Sequence, residues 1–222
     1  MKILYLETSS KNCSVTISEN EKLLCLCEEI SENYKQSESL HTFVEWALEG
    51  AEISIKDIEA VCLGKGPGSY TGLRIGAASA KGFCYGLNIP LVAVNSIESM
   101  VEPFIDQDFD IIIPLIDARR MEVYTAVYNG KTGEEISATE AKILDETSFA
   151  EYKDQKVIFV GDGAKKAQEI LQLPNVVYKD NVYPSSQYLI KKANEKIAQK
   201  DFEDIAYFEP FYLKDFHGVK KK

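Results

Sequence analysis

The sequence predicts an α/β protein of two similar halves, each a mixed sheet covered by helices. Both halves open on three successive strand-like segments and then alternate helix and strand. In both, the first strand ends in an acidic residue with hydroxyl or guanidinium groups close behind, Glu7-Thr8-Ser9 in one half and Asp117-Ala118-Arg119 in the other. A chain of 222 residues that is 45% hydrophobic can fill two such layered cores.

In the first half, Ile3-Leu4-Tyr5-Leu6 is a short apolar run, and Cys13 to Ser18 alternates as a half-buried strand does. Leu24 to Cys27 alternates less cleanly, after a hairpin turn at Glu19-Asn20-Glu21-Lys22. Leu40, Phe43, Val44, Ala47, Leu48 and Ala51 recur with helical period, which predicts an amphipathic helix starting near Ser37 or Ser39. Ala60 to Gly64 is a buried strand. A glycine-rich turn leads from it into a helix from about Gly72 to Leu87, and Pro90 to Val94 is the next strand. In the second half, the strands are Ile111 to Ile116, Glu122 to Tyr128, part of Ile136 to Leu144, and Val157 to Val160. Gly161-Asp162-Gly163-Ala164 turns into a helix at Lys165 to Leu171, and a last helix covers Ser185 to Gln199. The division falls between 1–105 and 106–222, with the second half the smaller and ending in a basic tail at His217 and Lys220 to Lys222.

Composition excludes several classes. Lys and Arg number 25 against 35 Asp and Glu, a formal charge of −10, so the general field repels nucleic acid. The longest apolar stretch, around Ile111 to Ile116, is far short of the roughly 18 residues of a membrane span. The first residues run directly into a strand without a leader pattern, and Cys13, Cys25, Cys27, Cys62 and Cys84 read as buried reduced thiols. Both point to a cytoplasmic protein. The only histidines, His41 and His217, stand far apart and near no nucleophile motif, so neither a His-rich metal site nor a His-based triad is expected.

The most informative stretch is Gly64-Lys65-Gly66-Pro67-Gly68-Ser69-Tyr70-Thr71-Gly72, set between a strand and a helix. Such a turn can hold an anion on its amides, but this one is neither a Walker loop nor a dinucleotide fingerprint. On spacing alone the favoured reading is a tight turn with Ser69 or Thr71 capping the helix. That helix carries two four-residue series, Gly72/Gly76/Ala80 and Ala78/Gly82/Gly86. Glycine inside a helix costs about 1 kcal/mol relative to alanine. A compensating close approach is expected, to the Leu40–Ala51 helix of the same chain or to a helix of another subunit.

Gly66-Pro67-Gly68-Ser69-Tyr70-Thr71-Gly72-Leu73-Arg74-Ile75-Gly76 resembles the signature of the TsaB (YeaZ) family of tRNA threonylcarbamoyladenosine subunits, a glycoprotease-like group. The resemblance extends over nearly the whole chain, through Ile3 to Ser9, Val92-Ala93-Val94-Asn95-Ser96 and Pro114 to Tyr124. It implies the actin-like ATPase fold, two ribonuclease-H-like domains. It also implies a scaffolding role beside a catalytic paralogue, TsaD, with the ATPase TsaE as a third component and tRNA touched only indirectly. In the catalytic paralogue a strand ending Val-Asn precedes two metal-binding histidines, H-x-x-x-H. Ser96 and Met100 occupy those positions here, so the resemblance assigns this chain no metal and no catalytic residue. No intrinsic cofactor is implied, with ATP or ADP and Mg²⁺ entering in the complex. The family's usual Asp at the end of the first strand is Glu7 here, one methylene longer, which shifts any Mg²⁺–water geometry built on it.

The partner interface is expected on the two helices of the first half. Leu40, Phe43, Val44 and Ala47 come from one, and Gly72, Leu73, Gly76, Ala80 and Phe83 from the other. The same helices would form a homodimer when the partner is absent. The rival reading is an ATP-dependent kinase or hydrolase of the same fold. Its nucleotide or phosphate site would comprise Glu7, Thr8, Ser9, Asp117, Arg119, Gly161, Asp162 and Gly163. A residual peptidase is a third reading.

Overall fold

The computed structural model describes residues 1–32 and 36–214, so the basic tail with His217 lies outside the described residues. Two five-stranded mixed sheets form the molecule. The first has strand order β3-β2-β1-β4-β5. Its strands are β1 (Lys2–Glu7), β2 (Asn12–Glu19), β3 (Lys22–Ile30), β4 (Ala60–Gly64) and β5 (Leu91–Val94). The second has order β10-β9-β6-β7-β8. It is built from β6 (Ile111–Asp117), β7 (Glu122–Asn129), β8 (Glu135–Ile143), β9 (Val157–Val160) and β10 (Val176–Lys179).

The repeat read in the sequence is a repeat of topology. β1 pairs antiparallel with β2 and parallel with β4, and β6 pairs antiparallel with β7 and parallel with β9. The crossovers differ. In the first half α1 (Gln36–Gly50) connects β3 to β4, and α2 (Tyr70–Leu87) connects β4 to β5. In the second half a single 3-10 turn, Ala150–Tyr152, stands where α1 would be, and α4 (Ala164–Ile170) is short. The second half thus lacks a long first crossover helix, although by residue count, 117 against 105, it is the larger and not the smaller of the two. β10, which sequence reading passes over, completes the second sheet by pairing parallel with β9.

β1 is buried on both faces, so its alternation sorts two cores. Leu4 and Leu6 pack with Val15, Ile17 and the inner faces of α1 and α2. Ile3 and Tyr5 pack with Cys62 and Val92 against Leu189, Ile190 and Ala193. Those last residues belong to α5 (Ile190–Ala198) and the 3-10 turn before it, Ser186–Leu189. The expected division at 105/106 therefore separates the sheets but not their helices. α5 belongs by sequence to the second half and covers the first sheet. Conversely, Ile97, Met100 and Val101, in and beside α3 (Glu98–Val101), pack on the second sheet with Ile112, Ile116 and Ile158. This exchange ties the halves together.

Polar groups seat α5. Ser14 and Thr16 lie on the face of β2 opposite Val15 and Ile17, and both are fully buried. The Ser186 hydroxyl lies 2.7 Å from Ser14 Oγ and 2.6 Å from Thr16 Oγ1, and its backbone N–H donates to Ser14 Oγ at 3.1 Å. The Glu28 carboxylate accepts from Ser14 and Ser185 hydroxyls at 3.1 and 2.7 Å. Among the described residues all five cysteines are free thiols, and no helix is long and apolar enough to cross a membrane.

Candidate functional site

Two groups of candidate residues lie at the carboxyl ends of the central strands, one on each sheet. On the first sheet the glycine loop folds back over the end of β1. Ser69 caps α2 by accepting the Gly72 N–H at 3.4 Å, so of the two candidate caps it is Ser69. The Ser69 N–H donates to Ser9 O at 2.6 Å, and the Gly66 N–H donates to Ser96 Oγ at 3.0 Å. Thr8 Oγ1 donates to the Gly72 carbonyl at 2.8 Å. The Gly66 and Ser69 amides that a phosphate would have used are thus occupied by the chain's own oxygens.

Glu7, Thr8 and Ser9 are sealed beneath this loop. Glu7 Oε1 accepts the Ser9 N–H at 2.7 Å, while Oε2 has no hydrogen-bond partner. A Cβ on Gly64 would stand 1.9 Å from Glu7 Oε2 and 2.9 Å from Ser96 Oγ, so Gly64 leaves the room the longer carboxyl needs. Burial pushes the Glu7 carboxyl above its ordinary value, against the lowering effect of the Ser9 and Ser96 groups. A buried carboxyl biased toward its neutral form, closed off by Ser96, does not fit a hydrated Mg²⁺ or a nucleotide phosphate. Met100, at the other position given to a histidine in the catalytic paralogue, is buried in the core on the second sheet, its methyl 2.7 Å from where a Cβ of Gly161 would stand.

The second group stays open. Asp117 Oδ1 accepts the Arg119 N–H at 2.6 Å and the Lys166 ammonium at 2.7 Å. The Asp117 N–H donates to Asp162 Oδ1 at 2.8 Å. Burial raises the Asp162 carboxyl and the Asp117 N–H lowers it, with Lys11 facing it from the turn after Ser9. Arg119 takes a φ of 70°, a left-handed turn conformation. Gly163 hydrogen-bonds to Leu115 O at 3.0 Å, closing the Gly161-Asp162-Gly163 turn against β6. The structure therefore gathers Asp117, Arg119 and Asp162, and separates them from a Glu7 that is closed off.

The expected interface needs correction residue by residue. Leu40, Phe43, Val44 and Ala47 are buried in the chain's own core, as are Gly72, Leu73, Gly76 and Ala80. Phe83 alone of the set is half-buried rather than buried. Nor is the close approach of Gly76 made to a helix, since a Cβ there would lie 2.4 Å from Thr8 Oγ1. The other series differs. Ala78, Gly82 and Gly86 are exposed, and a Cβ on Gly82 or Gly86 would meet nothing within 4 Å. Beside them Tyr85 is 85% exposed, and Trp46 on α1 is 55% exposed. His41 joins the two helices, 3.4 Å from Ser79 Oγ and with its ring 6.0 Å from that of Phe83. Sequence reading missed Trp46 and Tyr85. Trp46 lies off the Leu40–Phe43–Val44–Ala47 stripe, which is the signal that would have found it.

Comparison with known proteins adds three findings. The family model described as TsaD, tRNA N6-adenosine threonylcarbamoyltransferase, matches residues 29–217. Curated relatives are named tRNA threonylcarbamoyladenosine biosynthesis protein TsaB. The Bacillus subtilis protein is 29% identical over 78% of this chain and 76% of its own length, and the Escherichia coli protein 25% identical over 100% and 98%. The solved structure of YeaZ from Pseudomonas aeruginosa superposes with a TM-score of 0.78 at 23% identity, covering 96% of this chain and 99% of that one. This agrees with the α/β architecture of two mixed five-stranded sheets described above.

Proposed function

The chain belongs to the TsaD, tRNA N6-adenosine threonylcarbamoyltransferase, family, and from that premise we propose that it serves tRNA threonylcarbamoyladenosine biosynthesis as a non-catalytic subunit that docks the catalytic paralogue. The observation that carries the reading is the outward face of α2. Gly82 and Gly86 open a flat, unobstructed strip on an otherwise regular helix. Tyr85, next to Gly86 on the same helix, is exposed, as is Trp46 on α1. Helical glycine is costly in the isolated chain, and close backbone approach by a partner helix would offset that cost. Exposed aromatics beside such a strip are the side chains that most often anchor an interface.

The state of Glu7 supports the non-catalytic half of the reading. With that carboxyl buried and the Gly66 and Ser69 amides occupied, a nucleotide with Mg²⁺ would act at the catalytic subunit or at the joint surface. The acidic chain then supports a tRNA-binding partner from the side. TsaE joins as the ATPase, and a second copy of this chain covers the same helices when the paralogue is absent.

The test is reconstitution of tRNA modification from purified subunits with this chain, without it, and with Gly82→Leu. Full modification in its absence would contradict the subunit role. Undiminished pull-down of the catalytic subunit by a folded Gly82→Leu chain would remove the assigned surface.

A further inference from the structure

After α5 ends at Ala198, residues 203–214 run back over the first half as a strap. The Glu203 N–H donates to Leu91 O at 2.9 Å, an antiparallel bridge to the edge strand β5. Phe208 is buried in the core shared by α1, α2 and the first sheet, and the Lys81 ammonium stands 6.0 Å from its ring centre. The Phe211 N–H donates to Lys65 O in the glycine loop at 2.8 Å. The Tyr212 ring lies 5.1 Å from that of Tyr70, the first residue of α2, and the Arg74 guanidinium lies 5.0 Å from the same Tyr70 ring. The strap then reaches the second half. There the Lys214 ammonium contacts the Glu122 carboxylate and stands 5.9 Å from the Tyr124 ring, both on β7.

The glycine loop is shaped to receive this segment. Gly66 has a φ of 100°, and a Cβ there would lie 2.9 Å from Leu73 Cδ1 and 3.2 Å from Phe211 O. The Lys65 and Gly66 N–H groups are held by Val94 O and Ser96 Oγ, and the strap takes the Lys65 carbonyl. Phe211 also borders the space between the halves, with Lys65 and Asn95 from the first and Ala138 and Thr139 from the second. The hold on the strap is nevertheless local. It contains no helix or strand beyond the bridge at Glu203, and Phe208 is its one buried residue. A segment with a single apolar anchor and few backbone hydrogen bonds opens at lower free energy than the sheet it lies on.

We propose that residues 203–214 are a latch. Seated, they lock the glycine loop and the first turn of α2 to β7 of the second half. Released as a unit, with both sheets intact, they uncover Lys65 and Gly66 and open the Phe211 side of the space between the halves. The fold thereby carries its own competitor for that surface. Anything that binds there must displace the strap, and its affinity is reduced by the fraction of molecules in which the latch is open.

The test is hydrogen–deuterium exchange of the full-length chain, read by mass spectrometry. Phe208→Ala removes the anchor and should speed exchange at Glu203 and Phe211 about a hundredfold, the factor that loss of a buried phenyl group gives. The Lys65, Gly66 and Ser69 amides should quicken with it, while those of β1 and β2 stay unchanged. Phe211→Pro leaves the anchor and removes the N–H that Lys65 O accepts, so it should free the loop about tenfold. It also keeps the test decisive if Phe208→Ala does not fold. Tyr207→Ala, at an exposed position of the strap, should change nothing. Trypsin reads the far end: Glu122→Gln should speed cleavage after Lys214 several-fold. Faster exchange shared equally by β1 and β2 would make the strap part of the global core and overturn the latch. Unchanged loop amides in both strap variants would overturn the lock on the glycine loop. Unchanged cleavage in Glu122→Gln would overturn the link to the second half.

Discussion

Thr8 Oγ1 occupies the space that a side chain on Gly76 would need: a Cβ there would lie 2.4 Å from it and 3.0 Å from Leu63 Cδ1. The same hydroxyl donates to the Gly72 carbonyl at 2.8 Å. One turn of α2 is thereby held directly on the end of β1, with no side chain between. Gly76→Ala should destabilise the isolated chain by about 1–3 kcal/mol, the usual cost of overpacking a closed contact. Urea unfolding followed by circular dichroism measures it. Gly76→Leu should lower stability further, so loss of partner binding in that variant would report on the chain's own fold.

Gly82 should behave in the opposite way. It sits on the exposed side of α2 with nothing within 4 Å of its would-be Cβ. Gly82→Ala should stabilise the isolated chain by up to about 1 kcal/mol through helix propensity alone. The same denaturation measurement decides it, and an unchanged or lowered midpoint would mean that the strip is already covered within the chain. Gly82→Leu should leave the fold intact while abolishing capture of the catalytic subunit.

The contrast between these glycines locates what the sequence can and cannot say. Both series on α2 repeat every four residues, so their period is legible, as is the stripe of α1. Their phase is not. Which series faces inward depends on the end of β1, a relation between residues 8 and 76 that no local pattern carries. The alternation of Ser14, Val15, Thr16 and Ile17 shows that β2 has two chemically different faces. It does not show that the polar face is buried too, because that depends on Ser185 and Ser186 arriving from the far end of the chain. β10 escapes because Val176 to Lys179 is too short to display a period, and its pairing with β9 defines it. Glu7 is conspicuous as a strand-end acid, yet its closure comes from Gly64 and Ser96 on other segments.

The seat of α5 yields a third prediction. Ser14 Oγ is shared by the hydroxyl and the backbone N–H of Ser186 and by the Glu28 carboxylate, all at 3.1 Å or less. Ser14→Ala strands those partners in a buried site, which costs about 1–3 kcal/mol. Limited proteolysis should then release the segment carrying α5 before the rest of the chain unfolds. Simultaneous loss of all fragments, at wild-type rates, would mean that the hydroxyls do not hold the helix.

Glu7 gives the last prediction its sign. Burial raises its carboxyl in the folded state above the ordinary 4.5. Between that value and the raised one, the folded chain holds a proton that the unfolded chain has released. The contribution of Glu7 to stability is therefore complete below the ordinary value and lost as pH rises through the raised one. Asp162 and Glu98 are raised for the same reason, so the wild-type profile alone does not isolate Glu7. The difference between wild type and Glu7→Gln does. Glutamine keeps the length and the acceptor for the Ser9 N–H but cannot ionise. Its stability relative to wild type should rise as pH goes from weakly acidic to neutral, read as a widening gap in melting temperature. A gap constant with pH would mean that Glu7 keeps its charge when buried, and would reopen the first sheet's end as a cation or phosphate site.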